Sequence, residues 1–207
     1  MPDVLDKLRR DHANVGRVLR LLGPELDRIE AGESADYDLL HDVMRYITGY
    51  SDLHHHPAED VLYEALAMAS PEAARDLAAI VTEHEKLIQK GRSFLETIEA
   101  VEEDAMVGRA DFLRIGRDYI DMLGRHMGIE ESRLFPLADK TLSQDDLAGV
   151  NERLERLPDP LFGPALDEEF RHLWKRIEAH SNDLSPLEKG HANGALGSGA
   201  DIRYRMW

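Results

Sequence analysis

The chain has no cysteine among its 207 residues. That excludes disulfides, thiolate zinc sites, iron–sulfur ligation and cysteine nucleophiles within it. No apolar run approaches the length of a membrane-spanning helix, so no membrane partner is expected. The N-terminus, MPDVLDKLRRDH, lacks the apolar stretch and small-residue cleavage site of a secretory signal, and a cytoplasmic location is the expectation. Cations are scarce as well. Lys plus Arg number 25 against 41 Asp plus Glu, a formal charge of −16, and the longest basic clusters are pairs such as Arg9-Arg10. Such a chain repels phosphate backbones, so nucleic acid is not an expected partner.

What remains is an ordinary globular balance, 43% hydrophobic and 32% charged, in a chain long enough for one domain with a core plus an appendage. Four long segments repeat an apolar 3-4 spacing, and none alternates as a strand does. The first carries Leu5, Leu8, Val15, Leu19, Leu22, Leu26 and Ile29 and breaks at AGESAD. The second runs from about Tyr37 to Leu66 with Asp36 as N-cap. Ser70-Pro71-Glu72 reads as the capped start of the third, which continues through Leu77, Ile80, Leu87, Phe94, Ile98 and Val101. A break at Gly108 precedes the fourth, from about Ala110 to Lys140. These features predict an all-α fold, an up-down four-helix bundle over residues 1–141. A helical extension packed on the bundle is expected over 142–182: a helix from Ser143 to Leu157, a structured turn PDPLFGP, and a helix from Ala165 to His180. Residues 183–207, rich in small and polar residues, read as a flexible tail.

With cysteine absent, a metal must be held by nitrogen and oxygen, and ten histidines make that feasible. Phase singles out which. His12 occupies the inward stripe of the first helix, between Leu8 and Val15. His84 occupies that of the third, between Ile80 and Leu87. In the fourth, the stripe runs Phe112, Gly116, Tyr119, Leu123, His126, Glu130, Leu134. Each puts a histidine where leucine packs better. Residues four apart share a helix face, so His-x-x-x-Glu presents a nitrogen and a carboxylate to one point. His55 with Glu59 and His126 with Glu130 are so spaced. In LHHHPAED, His56 with Asp60 has the same spacing, but that face carries Arg45, Gly49 and Asp52 and is expected to meet water. His55 and Glu59 share theirs with Leu40, Met44, Ile47, Leu62 and Leu66, and His54 is expected to edge the core. Four buried histidines and two buried glutamates without a common ligand impose a large desolvation cost, which a shared metal site removes at all six positions. Two nitrogens per metal and two bridging carboxylates suit iron, manganese or zinc.

Around these ligands, Tyr50 and Tyr119 are read as core packing. Glu83, Glu85 and Glu131 either orient imidazoles or belong to a solvated face. His41, His172, His180 and His191 are read as surface residues. Pro57 and Pro136 each remove a backbone donor and are expected to bend their helices near the site.

The pieces RRDHANV, HHHPAEDVLYEAL, TEHEKL and HMGIEESRLFP together resemble the hemerythrin-like family with its His-His-Glu cation-binding motif. The resemblance spans residues 8 to 137. It implies a non-haem di-iron centre held by His12, His55, Glu59, His84, His126 and Glu130, with oxygen, peroxide or nitric oxide as candidate ligands. Oxygen-carrying members have a His-x-x-x-His pair on the third helix; here Ile80 and Ile88 stand at those offsets from His84. The four-histidine, two-glutamate set is more similar to iron–sulfur repair proteins and iron-sensing hemerythrin domains. The repair proteins usually carry a cysteine-bearing N-terminal segment, which these 207 residues do not contain. Two ferrous ions exceed the charge of two glutamates, which favours an oxo, hydroxo or exogenous anion between them. Handling or sensing of oxygen, peroxide, nitric oxide or iron is the first functional expectation. The alternatives are a di-iron enzyme (peroxide decomposition, nitric oxide reduction or iron–sulfur repair) and a metal-dependent interaction module, whose protein partner nothing in the sequence names.

Overall fold

The computed structural model describes residues 4–154 and 157–183. Among them there is no strand, and no helix is long and apolar enough to cross a membrane. Of the tail expected over 183–207, Asp183 ends the last helix, while residues 184–207, with His191, lie outside the described residues, as does the side chain of His180.

The first segment is two helices, α1 (Val4–Leu19) and α2 (Leu22–Ala31). The sequence pattern reads as one. Pro24 explains the break, because it has no N–H to donate to the carbonyl four residues back, at Arg20. α2 ends on Gly32, whose φ of 76° is open to glycine at little cost. The second segment comprises α3 (Tyr37–Tyr46), a π-helical stretch Ile47–His55, and α4 (His56–Ala69). Asp36 caps α3 as expected, accepting from the Leu39 amide at 3.0 Å. Ser70 does not cap. Its hydroxyl donates to the Glu72 carboxylate at 2.6 Å, and a 3₁₀ turn, Pro71–Ala73, leads into α5 (Ala74–Glu102). The fourth segment is α6 (Arg109–Ile129), a second π stretch Glu130–Leu134, and α7 (Phe135–Thr141).

Each π stretch lies just ahead of a proline, Pro57 or Pro136. Proline deletes an i→i−4 bond, and i→i+5 bonding accommodates the deletion with a wider turn. The expected bend near the ligands is therefore a local widening of the helix, at the two places that carry His55 and Glu130.

The apolar side chains form two clusters. One holds Val15, Leu22, Leu87, Phe94, Tyr119 and Leu123, the other Leu5, Leu8, Leu62, Ile80, Leu134 and Phe135. Each helix passes from one to the other through a polar position: Leu8 to His12 to Val15, Ile80 to His84 to Leu87, Leu123 to His126 and Glu130 to Leu134. A buried polar layer thus cuts the bundle core in two. At Gly116 the helices approach so closely that an added Cβ would lie 2.8 Å from Phe94 and 3.0 Å from Leu26.

Beyond the bundle, α8 (Gln144–Arg153) starts in a capping box between Ser143 and Asp146. Its Leu147 and Val150 join the cluster around Leu8. In PDPLFGP, Asp159 accepts the Leu161 and Phe162 amides at 2.9 Å each and the Tyr46 hydroxyl at 3.0 Å. A 3₁₀ turn and α9 (Arg171–Asp183) follow, with Phe170, Leu173 and Ile177 packed into the cluster around Phe94.

Candidate metal centre

His12, His55, Glu59, His84, His126 and Glu130 converge between the two apolar clusters, each no more than 7% exposed. The four imidazoles turn Nε2 toward the two carboxylates. His12 and His55 each approach Glu59 Oε1 at 3.2 Å, and His12 lies 3.3 Å from Glu130 Oε2. On the other side His126 lies 3.3 Å and His84 3.5 Å from Glu130 Oε1, and His84 is 3.6 Å from Glu59 Oε2. Each glutamate therefore offers one oxygen to the His12–His55 pair and the other to the His84–His126 side. Both carboxylates thus reach both histidine groups, a disposition that would let them share cations held in the cluster.

The satisfaction of the buried polar atoms fits such cations. Nine buried side-chain nitrogens and oxygens among the described residues lack a hydrogen-bond partner, and they include Nε2 of His55, His84 and His126, both oxygens of Glu59 and Oε2 of Glu130. A folded core rarely leaves such atoms unmatched, because each costs about 1–3 kcal/mol. Divalent cations among them match both the donor set and its charge.

The outer nitrogens are held by a ring of carboxylates. His55 Nδ1 donates to Asp11 at 3.4 Å, His84 Nδ1 to Asp60 at 2.8 Å, His126 Nδ1 to Glu83 at 3.3 Å, and His12 Nδ1 to Glu131 at 2.9 Å. Each of these acids is adjacent in sequence to a ligand on its own helix, yet each serves a histidine on the next helix. The fourth helix closes the ring onto the first. A carboxylate can only accept, so the proton sits on Nδ1 and the Nε2 lone pair faces inward, ready for a metal. Of the three glutamates considered from sequence, Glu83 and Glu131 orient imidazoles, while Glu85 is exposed.

Electrostatics reinforce the design. Burial disfavours charge on Glu130, but the close imidazoles of His12, His126 and His84 hold its carboxyl well below the usual range. Glu59 is also lowered, against burial and the neighbouring Glu130 charge, by His55 and His12. Without metal, burial opposes charge on the histidines too. The neighbouring carboxylates of Glu130, Glu131 and Glu59 nevertheless raise His12 well above its usual value, and those of Asp60 and Glu130 raise His84 to about 10.

His56 does not face water. It is 3% exposed, stacked on His84 with ring centroids 4.5 Å apart, and its Nδ1 is 3.4 Å from Asp52, itself only 6% exposed. The 3.6-residue period placed this face outside. The π stretch advances the chain by more residues per turn, so His55 and His56 both come inward. Potential ligand atoms of His56, Glu59, His84 and His126 lie within 4.8 Å of one another, as do those of His12, His55 and Glu59. Burial and the nearby His84 leave the His56 imidazole lowered, despite Asp52.

Tyr63 also escaped the sequence reading. Its hydroxyl, 1% exposed at the residue level, donates to Glu130 Oε1 at 2.8 Å. Its spacing of four from Glu59 was the available signal. Tyr119 packs beside Gly91, and Tyr50 stacks on Tyr46 at 5.8 Å, both in the core as expected. His54 is half-buried, His41 half-buried near Glu99, and His172 exposed.

A family model described as the hemerythrin HHE cation-binding domain matches residues 3–138. The chain belongs to the hemerythrin HHE cation-binding family. The match takes in all four helical segments of the bundle and every residue of the polar layer, so the hemerythrin-type fold and the histidine–glutamate cluster coincide with it. α8 and α9 follow the matched region. No curated protein and no solved structure matches the chain.

Proposed function

We propose that the chain binds two iron ions and uses them to handle or sense oxygen, peroxide or nitric oxide. His12 and His55 would serve one ion, His84 and His126 the other, with Glu59 and Glu130 bridging. The observation that carries this reading is the paired approach of each glutamate to both histidine groups, with the inner ligand atoms left unmatched. Bound iron would supply reversible electron transfer and open coordination positions. The protein residues do the rest. The carboxylate ring fixes the imidazole tautomers, and the apolar clusters on either side exclude bulk water. Burial of the whole layer restricts access to small ligands, which favours diatomics and peroxide over larger substrates.

A second reading, peroxide decomposition by the same site, is favoured by Tyr63. Its phenol holds a proton one hydrogen bond from Glu130 Oε1, kept on oxygen because burial and the two glutamates push its pKa well up.

The test is metal analysis and visible spectroscopy after anaerobic ferrous loading. Two irons per chain, with charge-transfer bands lost in Glu130→Ala, followed by spectral change with azide, peroxide or nitric oxide, support the proposal. Absence of iron uptake overturns it. Catalytic turnover of peroxide, as opposed to stoichiometric reaction, selects the second reading.

A further inference from the structure

A cleft of about 710 Å³ opens between α1, the turn from the first π stretch into α4, and the C-terminal extension. That volume suits a small organic ligand. Its chemistry is opposite to that of the whole molecule. Lys7, Arg10 and Arg153 line it, and no carboxylate does among the described residues, in a chain of formal charge −16. Lys7 is matched by Asp11 at 2.7 Å and Arg153 by Glu64 at 2.6 Å. Arg10 is exposed and has no ion-pair or hydrogen-bond partner among the described residues. The opposite wall is apolar and wet: Leu53 is 61% and Leu157 48% exposed, beside Val61 and Pro158. Large exposed apolar side chains gathered around an unmatched cation are the makings of a ligand site.

We propose that this cleft binds an amphiphilic monocarboxylate, its hydrocarbon body on Leu53 and Leu157 and its carboxylate on Arg10 and Lys7. One unmatched cation among the described residues of the cleft calls for a single negative charge, and the acidic chain as a whole disfavours polyanions. The site is also wired to the polar layer. Lys7 donates to Asp11 Oδ2, and the same oxygen accepts from His55 Nδ1 at 3.4 Å. A ligand carboxylate that shares the Lys7 ammonium leaves more negative charge on Asp11 and makes His55 the stronger donor. This relay rests on the metal reading above; the cleft does not.

The experiment is calorimetric titration of the full chain, metal-free, with decanoate, acetate and decanol. Decanoate is expected to bind one per chain, with acetate and decanol at least about tenfold weaker, since each lacks one half of the match. Arg10→Glu should weaken decanoate at least about tenfold while leaving the melting temperature of unliganded protein unchanged, because Arg10 is exposed and has no ion pair or hydrogen bond among the described residues. Leu157→Glu should do the same from the apolar side. Failure of decanoate to bind, or equal binding by Arg10→Glu, overturns the proposal. For the relay, the visible absorption of cobalt(II)-loaded protein should shift on adding decanoate. Bands that stay fixed while decanoate still binds overturn the relay alone. Failure to take up cobalt counts against the metal reading and the relay, and leaves the titration of the cleft to stand by itself.

Discussion

If the buried layer holds metal as proposed, removing it should lower the stability of this bundle by an amount the layer sets. Six inner ligand atoms of His55, His84, His126, Glu59 and Glu130 have no hydrogen-bond partner. At about 1–3 kcal/mol each, their cost in a dry metal-free core rivals the ~5–15 kcal/mol that holds a domain folded. Metal-free protein must therefore protonate or hydrate this layer, which loosens the π stretches Ile47–His55 and Glu130–Leu134. Binding works in the opposite direction. An ion present at a hundredfold its dissociation constant adds about 2.7 kcal/mol. In a chain of this size each kcal/mol raises the melting temperature by about 2–4 °C. Two ions are thus expected to raise it by roughly 10–20 °C over chelator-treated protein. Circular dichroism melting of both forms under anaerobic conditions measures the shift, and amide hydrogen exchange locates it. Coincident melting curves for protein shown to carry two irons would refute the reasoning, since the layer would then be satisfied without them.

The other predictions concern single groups. Glu59→Gln keeps the volume but removes the charge and one of the oxygens facing both histidine groups, so metal analysis should find fewer than one ion per chain. Asp60→Ala frees His84 Nδ1 and should weaken metal binding by about 10–100-fold in chelator competition, with the fold intact by circular dichroism. Tyr63→Phe removes one hydrogen bond at a cost of about 0.5–1.5 kcal/mol in denaturant unfolding; iron content should be retained, and any peroxide turnover should drop. Finally, metal loading at neutral pH should release protons, read as a dependence of calorimetric heat on buffer ionisation enthalpy. Against burial, their acidic partners raise His12 and His55, and raise His84 to about 10, in the metal-free protein. A raised pKa contributes stability fully below the unfolded value near 6.5 and loses it as pH climbs toward about 10. Metal-free protein should therefore weaken over that window while metal affinity rises, and a pH-independent affinity would count against imidazole ligation.

The spacing of apolar residues was enough to define four helical segments, the inward stripes and the six residues of the polar layer. Each is a local property: a histidine at a leucine position in a 3.6-residue period, or a glutamate four residues beyond it, has its direction set by its own helix. The same reasoning failed where the helix itself changed. Pro24 split the first segment, Ser70 bonded to Glu72 instead of capping, and the π stretch turned His56 and Asp52 inward against the regular period. Tyr63 went unread in the sequence, and only the fold brings Glu130, 67 residues away, within 2.8 Å of it.

By itself, then, the sequence determined the helices, the inward histidines and glutamates and the absence of thiolate chemistry, because periodicity and composition act within a few residues. Which carboxylate serves which histidine was decided only by tertiary structure. Asp11, Asp60, Glu83 and Glu131 each sit beside one ligand in sequence and hold another across the bundle. The same holds for the cleft, where Lys7 and Arg10 of α1 meet Leu157 of the extension. Such pairings depend on the rotation and offset of neighbouring helices, which are set when their apolar faces pack together.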